Sequence, residues 1–134
     1  MSGNGTPDDP WSLTTPLGTA QYKMHRDEDK AVLHCQVGKT WLHYQLRALD
    51  DLHQMLLKHG DWMELGNKDE KDETTPGTVE HWARSADNPV GGWYGLRNGY
   101  RGRFAGYVAP VLERIGKVEF EKRGRSIWVR AIPA

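Results

Sequence analysis

Between Ala20 and Gln45 apolar and polar residues alternate with a period of two. Tyr22 and Met24 fall on one side and Lys23 and His25 on the other. After the polar stretch Asp27 to Lys30, Leu33, Cys35 and Val37 alternate with His34 and Gln36; after Gly38-Lys39, Leu42 and Tyr44 alternate with Trp41 and His43. Such alternation marks half-buried strands, so this segment predicts a three-stranded antiparallel meander. A two-residue loop at Gly38-Lys39 pairs Val37 with Thr40, Cys35 with Leu42 and His34 with His43. The core face is then Tyr22, Met24, Leu33, Cys35, Leu42 and Tyr44. A sheet this small is only marginally stable alone. Leu46 to His59 supplies a cover, because Leu49, Leu52, Met55 and Leu56 recur at helical spacing and Gly60 suits the residue just past a helix end.

The second half changes rhythm. Asn67 to Thr75 carries Asp69, Glu70, Asp72 and Glu73 without an apolar residue, which predicts a solvated loop and a flexible boundary. Thr78 is placed to cap a helix over Val79 to Ser85, and Asp87-Asn88-Pro89 stops it. Six glycines between Val90 and Gly106 interleave with Trp93, Tyr94, Tyr100 and Phe104. From Arg101 to Ile115 the residues Phe104, Val108, Val111, Leu112 and Ile115 keep a 3.6-residue period, with Pro110 predicting a kink or a fresh start. Val118 to Ile132 alternates around Gly124 as a hairpin. Residues 1–10 hold two Gly, two Pro and two Asp, with no apolar residue after Met1, and predict a mobile tail. The fold class expected is α+β: a meander plus helix, then two helices and a C-terminal hairpin. It forms one domain over residues 11–134, divided into a first half (11–66), a charged loop (67–77) and a second half (78–134).

Charge sharpens this division. The chain has 18 Lys or Arg and 18 Asp or Glu, but they are unevenly spread. Trp93 to Ala134 has nine basic residues against three Glu, 9 − 3 = +6, and Met1 to Gly92 has nine against fifteen, 9 − 15 = −6. A split of this kind bears on partners and not on fold. A length of 134 residues suits one domain. The single cysteine, Cys35, excludes an internal disulfide and a Cys-rich zinc site. The polar N-terminus has no basic and apolar signal pattern, and no apolar run approaches the roughly 20 residues of a membrane span. A soluble cytoplasmic protein is expected, with no membrane partner.

A helix at Thr78 to Ser85, a second at Arg101 to Ile115 and a hairpin with the basic tip Lys122, Arg123 and Arg125 together resemble the C-terminal part of winged helix-turn-helix domains, over Gly77 to Ile132. The connector Ala86 to Tyr100 is longer than that family's turn of roughly 3 to 4 residues. The resemblance implies a DNA-binding or regulatory module on double-stranded DNA. Arg97, Arg101, Arg103 and Arg114 would contact groove or phosphate, and Lys122, Arg123 and Arg125 would act as wing contacts. The acidic half would then serve a protein partner or self-association.

Two other readings stay open. The Gly-rich aromatic loop 89–100, with Trp93, Tyr94 and Tyr100, can build a small-ligand or protein-interaction pocket; its mixture of Arg and aromatics also suits stacked single-stranded bases. His25, His34 and His43 share a sheet face and could serve a metal-dependent enzyme. Nothing in the chain compels catalysis. Ser12, Ser85 and Ser126 lie in no nucleophile motif, Gly38-Lys39-Thr40 lacks the upstream Gly of a phosphate-binding loop, and no cofactor is implied.

Overall fold

A computed structural model describes residues 3–133. Among them the order of elements is β1 (Trp11–Thr14), β2 (Gln21–Asp27), β3 (Val32–Val37), β4 (Thr40–Gln45), α1 (Ala48–His59), β5 (Met63–Glu64), α2 (Val79–Trp82), α3 (Phe104–Arg114), β6 (Val118–Arg123) and β7 (Ser126–Ala131). The fold is α+β. The expected meander is present, with Val37 opposite Thr40, Cys35 opposite Leu42 and His34 opposite His43. β1 extends it to an antiparallel sheet of order β1-β2-β3-β4. Trp11 and Leu13 on β1 are buried while Ser12 and Thr14 are exposed, a period-two pattern only four residues long.

The C-terminal hairpin gains a third strand from the first half. β5 pairs with β7, giving a small sheet of order β5-β7-β6. One cluster of buried residues runs through both sheets and the helices, from Trp11 to Val129. The chain therefore packs across the 67–77 segment that was expected to separate two halves. Residues 3–10, expected as a mobile tail, fold back on themselves: the Asn4 and Gly5 N–H groups donate to the Asp9 carbonyl, and Arg26 N–H of β2 donates to the Gly5 carbonyl at 2.8 Å. Met1 and Ser2 lie outside the described residues.

α1 buries Ala48, Leu49, Leu52 and Leu56 and ends at Gly60 in the left-handed conformation (φ 72°), as its spacing predicts. α2 is a single turn, shorter than expected, capped by the Thr78 hydroxyl accepting from His81 N–H. α3 runs unbroken through Pro110. A proline there cannot donate to the Gly106 carbonyl four residues earlier. The Tyr22 hydroxyl of β2 fills the gap, donating to the Tyr107 carbonyl at 2.8 Å and lying 3.4 Å from that of Gly106.

The position of α3 bears on the winged-helix expectation. Its residues Phe104, Ala105, Gly106, Val108, Ala109, Pro110, Val111 and Leu112 are all buried. Tyr22 and Tyr44 of the large sheet reach its start, and β6 packs on it from the small sheet. A recognition helix needs an exposed face to enter a groove; α3 is buried over most of its length, with Glu113 exposed and Tyr107 and Arg114 half-buried. None of the helices is long and apolar enough to cross a membrane among the described residues.

Candidate functional site

The ends of α3 depend on side chains from far away in sequence. Its first N–H groups are met by the Glu80 carboxylate, which accepts from Phe104 N–H at 3.3 Å and Ala105 N–H at 2.9 Å, and by Asn67 Oδ1, which accepts from Gly106 N–H at 3.1 Å. An acid at a helix N-terminus satisfies orphan donors and the helix dipole together. Glu80 is fully buried and pairs with Arg84 at 3.2 Å. Burial pushes the Glu80 carboxyl up from its ordinary value, while the two N–H groups and Arg84 pull it down. Arg84 then fans out over the acidic segment, donating to the carbonyls of Lys68, Asp69, Glu70 and Asp72 at 2.8 to 3.4 Å.

The segment is a largely exposed loop, as expected, and it is also strapped down. Glu70 adds to the strap by accepting from the N–H groups of Gly99 and Arg101 and from Arg101 Nε at 3.0 Å. The Arg101 guanidinium is the main reason the Glu70 carboxyl sits below its ordinary range. Gly102 lies so close that a Cβ there would fall 2.1 Å from the Glu70 nitrogen. Sequence reasoning missed Glu80 and Arg84, since an acid and a base four apart on a short helix read as a solvent-side pair.

The seven basic residues expected to meet DNA go to different surroundings. Arg101 is held by Glu70 and lies over the Trp93 ring at 4.4 Å. Arg97 donates to the Trp41 carbonyl and stacks on Tyr100 at 4.0 Å. Arg114 reaches the carbonyls of Ser12 and Gly3, tying α3 to the N-terminal turn. Arg123 pairs with Glu121 and lies over Trp62 and Trp128. Lys122 is exposed on β6.

Arg103 and Arg125 alone of these seven line a common cleft. It has a volume of about 430 Å³ and lies between the β1–β2 turn, the segment after β5, the start of α3 and the tip of the β6–β7 hairpin. Lys68 joins them, with Asn67, Tyr107, Ser126 and the carboxylate-bearing Glu64 on the same walls. Lys68 and Arg125 have no ion-pair partner among the described residues, and Arg103 has only Asp69 at 3.7 Å, with half of each side chain exposed. Arg103 also sits in the left-handed region (φ 57°), a conformation costing a non-glycine residue roughly 1–2 kcal/mol. Its N–H donates to the Lys68 carbonyl at 2.7 Å, which fixes it beside the lysine.

The expected aromatic pocket is not formed by its three residues together. Tyr94 is buried, stacked on Trp82 at 5.2 Å, with its hydroxyl donating to Asp51 at 2.9 Å. Trp93 lies beneath Arg84 and Arg101. Tyr100 is exposed and lines a second, open cleft of about 540 Å³ that shares Arg103 and Tyr107 with the first. The three histidines do share a face, and His34 and His43 make a direct Nδ1 to Nδ1 contact of 2.7 Å. No group of three His, Cys, Asp or Glu among the described residues is arranged to hold a metal.

No curated protein and no solved structure matches the chain. A family described as being of unknown function matches it over residues 3–132, nearly its whole length, so the chain belongs to the family DUF6855.

Proposed function

We propose that the protein is a binding module for a small anionic ligand, bearing phosphate or carboxylate groups, seated in the cleft between the two sheets. The observation that carries this reading is the convergence of Lys68, Arg103 and Arg125 from three separate chain segments on one concavity of ligand size. Two guanidiniums and an ammonium offer forked and point-charge donors to anionic oxygens. Asn67, Tyr107 and Ser126 add neutral polar groups for orientation. Glu64 on the same wall selects against ligands that would place a second anion beside it.

The duplex-DNA expectation has less support in this arrangement. α3 is buried over most of its length, and Arg101, Arg103, Arg123 and Arg130 each have a carboxylate within 4.0 Å, which reduces the field an approaching polyanion meets. Isothermal titration at low salt with pyrophosphate and with citrate tests the proposal. Wild-type protein is expected to bind at least one of them, and Arg103→Ala combined with Arg125→Ala is expected to weaken binding at least about tenfold, since each charged hydrogen bond contributes about 1.5–3 kcal/mol. Binding of neither probe, or equal binding by the double variant, overturns it. A salt-steep shift of duplex DNA by the wild type replaces the small ligand with a polyanion.

A further inference from the structure

The outer face of the large sheet carries a row of imidazoles that the cleft does not use. His25 lies opposite His34, and His34 opposite His43, across three adjacent strands. The two-residue turn makes Val37 and Thr40 a hydrogen-bonded pair, so three steps along His34 and His43 fall on a non-hydrogen-bonded pair, the kind whose side chains come closest. The His43 carbonyl accordingly points away from β3 and accepts from Leu96 N–H at 2.7 Å. The result is the 2.7 Å separation of the two Nδ1 atoms on partly buried rings.

A second observation concerns the far nitrogen of His34. Its Nε2 lies 3.6 Å from Oδ2 of Asp27. A carboxylate on that side favours the tautomer with the proton on the far nitrogen and the lone pair on the near one, the orientation used in carboxylate–histidine–metal arrangements. Trp41 stands edge-on to His34 at 6.4 Å and to His25 at 6.0 Å, walling one side of the row.

We propose that His34 and His43 form a two-histidine site for a divalent transition metal of the copper, nickel or zinc class, bound through their Nδ1 atoms. At metal–nitrogen distances of roughly 2.0–2.1 Å, nitrogens 2.7 Å apart subtend about 80° at the ion, and opening them to about 2.9 Å gives the right angle of a tetragonal site. The remaining positions stay open to water or to a donor group of a ligand. Without metal, one Nδ1–H donates to the other ring. On binding, that proton moves through solvent to the Nε2 of His43, so both imidazoles stay neutral and no proton need be released.

The test uses the full chain, stripped with chelator and titrated with Cu²⁺, Ni²⁺ and Zn²⁺ at neutral pH, read by calorimetry and by tryptophan fluorescence, which Cu²⁺ beside Trp41 should quench. One equivalent is expected to bind. His34→Gln and His43→Gln, which keep bulk on an outer strand face, should each weaken binding at least tenfold, and Asp27→Asn should weaken it about 10–100-fold. His59→Ala, remote from the row, should leave it unchanged. Absence of binding to the wild type overturns the site. So does binding that survives both glutamine variants or is lost with His59. No cleft residue takes part, so this site and the anion cleft stand or fall separately.

Discussion

Arg84 and Arg103 approach the same acidic segment, and solvent access separates what each can do. Arg84 is 11% exposed, paired with a fully buried Glu80 and bonded to four carbonyls of the 68–72 loop. Arg103 is 50% exposed and meets only Asp69 at 3.7 Å. One guanidinium is consumed in holding the loop; the other, beside Lys68 and Arg125, is available. The lesson is that a count of charges cannot rank candidate contacts, because what decides is how many of a cation's donors the fold has already engaged.

The largest expected effect is on stability. Arg84→Ala should lower the unfolding free energy by about 3–5 kcal/mol, since it strands a buried carboxylate, and Arg103→Ala by under about 1 kcal/mol. Chemical denaturation of the two variants checks this, and equal losses would dissolve the contrast. Gly102→Ala comes next. Its new methyl would meet the Glu70 backbone, and overpacking of this kind costs about 1–3 kcal/mol. Faster amide exchange over residues 68–72 should accompany it, reporting a loosened strap. The smallest effect lies on the acid side. The Glu70 carboxyl is depressed in the folded state, so its stabilisation is present above its ordinary value of 4.5 and is lost as pH falls through the lower folded value. Arg101→Ala should therefore flatten the acid limb of a stability-against-pH curve. An unchanged limb would show that the Glu70–Arg101 pair contributes nothing to the strap.

A fourth measurement sharpens the comparison from the histidine row. His25 and His43 are lowered in the folded state, so the unfolded chain binds more protons as pH falls through the ordinary histidine value of 6.5. Thermal stability should be greatest above that point and decline below it. His43→Gln should reduce the decline, with no matching change from Arg103→Ala.

Much of the large sheet was legible because its information is local. Two turn residues, Gly38-Lys39, fix the register, and a period-two pattern fixes which face is buried. β5 was not legible: two residues carry no period, and their partner, β7, lies more than sixty positions away. Tyr94 shows the same limit in the candidate site. An aromatic between glycines reads equally well as a pocket wall or a core residue, and only the stacking on Trp82 decides. Arg103 and Arg125 could be named as candidates from their charge, but the cleft they share is made by turns and strands brought together only in three dimensions. Glu80 reads from the sequence as a first-turn acid of its own short helix, and its role on α3 was not legible because the N–H groups it meets lie more than twenty residues downstream.

The treatment of the β4 border has a further consequence. The Leu96 N–H donates to His43, the Tyr94 carbonyl accepts from Gln45 N–H, and Arg97 occupies the Trp41 carbonyl. At the opposite border β1 is only four residues long, and Arg114 takes up its Ser12 carbonyl. Another copy of the chain therefore finds few free backbone groups on which to continue this sheet, and the molecule is guarded against open-ended, amyloid-like growth from its larger sheet.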